Sequence, residues 1–282
     1  MYDVLRAELF KLARRPAAWV LIAVSVVLNQ VFGYLVPYLS YRSGSPSDVA
    51  GPGATPEQLL SSTMPDQLVT NTIGAFPVFA GALALVLGAL VFGGEHGWGT
   101  VKTMLTQRPG RTTVLAGQVL ALAVALVLAT AVLFAAGSAT SVGIAVAEDQ
   151  ALAWPSALAL ATGFGAGVLV LFTWAMIGAV LGVTLRGVAL PIGLGVVWVL
   201  GIENLVSALA GSMLSALRPV RDLLPGVNAG SLVSAVIPDR MVEAPPGVSS
   251  TVSEPRALVT LLGYVLVAAS LAAWTSRRRD VV

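Results

Sequence analysis

Cysteine is absent, histidine occurs once, and charged side chains make up only 11% of the 282 residues. Without cysteine there are no disulfide staples, no thiolate metal sites and no cysteine nucleophile, and redox chemistry gives no hint of compartment. The single histidine, His96, stands beside Glu95 with no second histidine to complete a metal site or a triad. Neither Lys11 nor Lys102 belongs to a Gly-x-x-x-x-Gly-Lys-Ser/Thr loop, so the chain has no phosphate cradle and any ATP would have to bind another subunit. No catalytic residue, cofactor ligand or metal ligand is therefore assigned, and an enzyme is not expected. Charge this sparse, with 56% hydrophobic residues, cannot cover a water-soluble fold. A pI near 9.2 would suggest nucleic acid in a soluble protein, but here the basic residues flank apolar runs and read as topology signals. No nucleic-acid partner is expected; the partner is a lipid bilayer.

What is present is apolar length. Spans of roughly 20 residues cross a hydrocarbon core of about 30 Å, and the chain has room for six with modest loops. Met1 to Pro16 puts Leu5, Leu9 and Leu12 on one face and Arg6, Glu8, Lys11, Arg14 and Arg15 on the rest, which predicts an interfacial helix. Pro16 breaks it. Spans follow at about 17–39, 73–92, 112–137, 155–185, 188–210 and 257–274. The third apolar stretch persists to about Ala147, which requires a tilt or a bend near Gly137 to Gly143. Pro77 in the second span needs neighbouring helices to accommodate it. In the fourth span Gly163, Gly165, Gly167, Gly178 and Gly182 let helices approach closely, and Arg186-Gly187 makes a tight turn into the fifth.

Between spans, Thr55-Pro56-Glu57-Gln58 offers an N-cap, a first-turn proline and a capping-box glutamine, which predicts a short surface helix. Gly211 to Arg256 is polar-interrupted yet half apolar, and short helices dipping into the outer leaflet are expected there. Eleven of the sixteen Lys and Arg residues fall on the face that carries both termini, so the positive-inside bias places both ends in the cytoplasm. Trp19, Trp154 and Trp274 stand at span ends as headgroup anchors, while Trp98 suits either an anchor or a docking surface.

The stretch Gly94 to Arg111 is the most informative. Thr100 can cap a short helix in which Val101, Met104 and Leu105 share one face, leaving a polar side for the cytosol. Such an element, tied directly to two spans, could transmit a push from a soluble partner; the alternative is an ordinary loop whose Lys102, Arg108 and Arg111 serve orientation. Glu95 followed by Gly99-Thr100, a short apolar helix, then Arg108-Pro109-Gly110-Arg111 resembles the coupling region of ABC type-2 permeases. Ala7-Glu8-Leu9-Phe10-Lys11-Leu12 is similar to that family's amphipathic elbow. Ile202-Glu203-Asn204-Leu205-Val206, followed by Leu223-Leu224-Pro225-Gly226-Val227-Asn228, resembles its fifth span and outer helices. The resemblance implies an all-α six-transmembrane-helix bundle, with an N-terminal elbow helix and short outer helices before the last span, in one permease domain over residues 1–282. It also implies ATPase-coupling residues at Glu95, Gly99, Thr100, Val101, Met104, Leu105, Arg108 and Arg111, with Glu8, Lys11 and Arg14 on the elbow. The implied partners are cytoplasmic ABC ATPase subunits holding ATP and Mg, and a second permease copy or a related one. Export across the cell membrane by alternating access is the implied function.

Glu203 is the acid placed within a span, where a central carboxylate costs about 2.5 to 3.5 kcal/mol. Its position is compatible with a substrate or cation contact, with a structural hydrogen bond to the outer hairpin, or with a carboxylate that snorkels to the interface. Two other functions remain open at this level: a secondary transporter, which would ordinarily show an internal repeat and several intramembrane charges, and a non-transporting scaffold or immunity component.

Overall fold

Pro16 separates the N-terminal helix, Tyr2–Arg14, from the first span by standing at the first helical position after Arg15, whose extended backbone redirects the chain. The turn is closed by the Trp19 indole, which donates to the Ala13 carbonyl at 2.8 Å. The computed structural model describes residues 2–44, 54–97, 110–212, 214–237 and 245–278; the side chains of 95–97, 111, 212 and 276–278 lie outside that set. Every regular element among the described residues is helical. Six helices are long and apolar enough to cross a membrane: Pro16–Ser43, Pro65–Gly94, Thr112–Ala147, Ala157–Leu185, Ala189–Gly211 and Glu254–Thr275. The first reaches four residues past the expected end, and the second starts eight residues earlier than the apolar run suggests. The third continues as one α-helix from Arg111 to Ala147, through Gly137 and Gly143.

Spans 2 and 4 form the core, with 61% and 56% of their most apolar windows buried against 11% for span 1. Their contact is backbone on backbone. A Cβ at Gly88 would run into the Ala175 carbonyl, and one at Gly178 into the Leu85 carbonyl, so only glycine permits this approach. Gly163, Gly167 and Gly182 also face span 2, whereas Gly165 faces open space. Pro77 is accommodated in the same interface. Span 2 runs as a π-turn over Phe76–Ala80, and the buried Trp174 indole of span 4 donates to the Pro77 carbonyl at 3.2 Å. A partner helix thus satisfies a carbonyl at the point where the ladder of span 2 is irregular.

Span 1 has little apolar cover and is tied by polar side chains instead. Asn29 Nδ2 donates to the Asn71 carbonyl of span 2 at 2.6 Å, and the Thr140 hydroxyl of span 3 donates to Gln30 Oε1 at 2.6 Å. Such bonds hold helices together where hydrophobic association provides no drive. Between the spans, Thr55 and Gln58 complete the expected capping box at the start of the helix Pro56–Ser62.

The region before the last span does hold short helices. One of them, Pro225–Val236, has eight of its twelve residues buried, packed against spans 4 and 6 and the break in span 2. Small residues allow this closeness: a Cβ at Gly230 would run into the Gly247 carbonyl, and Ser231 hydrogen-bonds the Ser249 carbonyl at 2.9 Å and the Val252 N–H at 3.2 Å.

Candidate functional site

The N-terminal helix lies along the start of span 3, with Val4 against Gly117 and Leu5 and Leu9 packed toward the core beside Leu115 and Val119. Its apolar spacing is what makes this face. Glu8 is buried and pairs with Lys11 at 2.6 Å, one turn on, while the Arg14 guanidinium sits 5.2 Å from the centre of the exposed Phe10 ring. At the end of the helix, Arg15 Nη1 donates to the Leu90 carbonyl of span 2 at 2.9 Å.

The geometry follows from these contacts. Span 2 continues as helix through Glu95 to Gly97, and span 3 begins at Arg111 after Gly110. The segment resembling the coupling region is therefore anchored at both ends by helices that the N-terminal helix also grips, five residues before Glu95 and six after Arg111. Gly99, Thr100, Val101, Met104, Leu105, Arg108 and Trp98 lie outside the described residues, as do the side chains of Glu95 and Arg111.

Glu203 is resolved in a different way from the elbow charges. It is buried, its Oε1 accepts from the Trp198 indole N–H at 2.8 Å, and its Oε2 accepts from the Gly226 backbone N–H at 2.8 Å. Gly226 opens the hairpin helix, where Leu224 has no side chain able to cap and Pro225 has no N–H, so Glu203 acts as the cap from another element. A Cβ at position 226 would collide with Glu203 Oε2. The hairpin is further tied to span 6, with the Tyr264 hydroxyl donating to the Leu223 carbonyl at 3.0 Å.

A third polar site went unnoticed in the sequence. At the far end of span 3 from the N-terminal helix, Glu148 accepts from the Tyr38 hydroxyl at 2.7 Å, the Tyr41 hydroxyl at 3.2 Å and Arg42 at 3.1 Å. The available signal was Tyr38, Tyr41 and Arg42 at i, i+3 and i+4, together with an acid just past the third apolar run. The Tyr38 hydroxyl foremost, with Tyr41 and Arg42, holds the Glu148 carboxyl below its ordinary 4.5 against the opposing effect of burial. A carboxyl lowered by folding stabilises the fold above its unfolded value and loses that contribution as pH falls through the folded one. Wild-type chain in detergent should therefore melt higher than Glu148→Gln at neutral pH, and the two melting temperatures should converge below pH 4.5. A gap that stays constant down through that range would show the cluster to be energetically silent.

The six apolar helices, buried polar ties and close span 2–span 4 contact define a multi-pass helical membrane protein. A family model described as ABC-2 family transporter protein matches residues 2–281, and the chain belongs to that family, as a transmembrane permease of the ABC transporter class. No curated protein matches the chain.

Proposed function

We propose that this chain is the permease subunit of an ABC exporter in the cell membrane, with both termini cytoplasmic and with ATP and Mg bound by separate ATPase subunits. Two permeases, identical or related, pair with two such subunits. The observation that carries the reading is the grip of the N-terminal helix and the Arg15 that follows it on both anchors of residues 95–111, through Arg15 to Leu90 and Val4 to Gly117. A soluble partner that pushes on this segment moves the ends of spans 2 and 3 and the elbow as one piece. Span 2 in turn is locked to span 4 by backbone contact, so the displacement reaches the core. Driving such a bundle from 1:99 to 99:1 between two states takes about 5.5 kcal/mol of differential nucleotide binding.

Glu203 supports this reading over a cation-coupled carrier, because both its oxygens are engaged by N–H donors. The test is purification of the full tagged chain from its native membrane. An ATPase subunit should co-purify, ATP turnover should track that subunit, and turnover should vanish when it is stripped away. Turnover by the chain freed of every ATPase, or the consistent absence of any ATPase partner, would overturn the proposal.

A further inference from the structure

Span 5 is not a uniform α-helix. Between Ala189–Val197 and Glu203–Ser212 it makes one π-turn, Trp198–Ile202, in which the Glu203 N–H bonds back to the Trp198 carbonyl five residues earlier. π-turns are single-residue insertions into α-helices and recur at functional positions. Here the insertion has a specific consequence. On a regular α-helix, at about 100° per residue, positions 198 and 203 would point roughly 140° apart. The π-turn brings them onto one face, and only then can the Trp198 indole reach Glu203 while Glu203 reaches Gly226.

We propose that this π-turn is a register switch that latches and releases the hairpin Pro225–Val236. Migration of the inserted residue past Glu203, toward Gly211, returns 198–203 to α-helical spacing and swings the carboxyl away from both donors. The hairpin helix then loses the cap on its first turn, since neither Leu224 nor Pro225 can replace it.

Three features of the surroundings suit such a shift. Trp198, Leu200 and Leu205 are exposed on the surface of the bundle, and within the turn only Val199 is buried in the core, so a shift of register disturbs one core side chain. Gly201 lies in the turn with no atom within 4 Å of where a Cβ would sit. Asn204 Nδ2 donates to the Leu200 carbonyl at 3.0 Å and, at 3.4 Å, to that of Val199, which holds the turn where it is now. A side chain that bonds local carbonyls competes with the α ladder in this way. The latch belongs to the chain alone and does not depend on the identity of any ATPase.

The experiment is amide hydrogen exchange on the full chain in lipid nanodiscs, followed in peptides covering Gly226 to Val236. Exchange there reports opening of the hairpin. Glu203→Leu removes both bonds and should speed exchange at least tenfold. Deleting Gly201 removes the inserted residue, leaves Trp198 and Glu203 four apart on an α-helix and so still latched, and eliminates the register that releases them; exchange should slow at least tenfold. Peptides from Leu85 to Gly93 and Leu171 to Gly182 should match wild type in both variants, which shows that the core has folded. Unchanged exchange in Glu203→Leu would refute the latch. Wild-type or faster exchange on deleting Gly201, with the core peptides protected, would refute the switch.

Discussion

Gly88→Leu is expected to abolish recovery of folded chain, because the new side chain has backbone, not side chain, in its way. The Ala175 carbonyl occupies the position a Cβ would take, and the reciprocal contact puts Gly178 on the Leu85 carbonyl. Overpacking costs typically about 1–3 kcal/mol when side chains can yield. Helix backbone cannot yield without separating spans 2 and 4, and that would also open the buried contacts of Leu85, Phe92, Trp174 and Met176. Against a total stability of about 5–15 kcal/mol for a native domain, the loss is decisive. The measurement is monodisperse yield and melting temperature in detergent, beside Gly165→Leu in the same span as Gly178. Position 165 has open space around it, so that variant should behave as wild type. Equal yields from the two would show that the close approach is not what holds the core.

The second large effect concerns coupling. Arg15→Ala, Glu95→Lys and Gly99→Leu should each leave yield and melting temperature nearly unchanged, because Arg15 belongs to neither span 2 nor span 4 and positions 95 and 99 follow the apolar run of span 2. Co-purification of the ATPase, or its stimulation by the permease, should fall at least tenfold. Arg15 is informative in its own right. Its bond to Leu90 ties the elbow to the end of span 2, so its loss should uncouple the two anchors without altering the segment that a partner would touch. The reference is a substitution of similar size between Ser43 and Gly53. Variants of this segment indistinguishable from that reference in assembly and stimulation would mean that residues 95–111 form an ordinary loop.

Composition and local pattern carried the class of this protein. Apolar runs longer than any soluble core needs, broken by Pro16, Arg186-Gly187 and polar stretches, are properties of consecutive residues, and six membrane-length helices follow from them. The elbow was legible for the same reason, since Leu5, Leu9 and Leu12 mark one face of a helix that Pro16 must end. Thr55 and Gln58 cap the helix they announce because both partners lie within one turn. The family's motifs were also local, although the segment from Gly99 to Arg108 rests on sequence alone.

Contacts between distant positions were another matter. Nothing near Glu148 in the chain points to Tyr38, 110 residues away, and Asn29 and Gln30 look like isolated defects in an apolar run until Asn71 and Thr140 meet them. A π-turn shifts helical register by one residue and leaves composition untouched, so hydrophobic periodicity cannot show that Trp198 and Glu203 share a face. The packing of the hairpin helix was not legible because its half-apolar pattern fits either a lipid surface or a protein one. Gly230 against the Gly247 carbonyl and Ser231 bonded to Ser249 and Val252 show how closely the segment before span 6 packs on it. The free energy of that choice lies in packing between elements, and packing exists only once the spans have assembled.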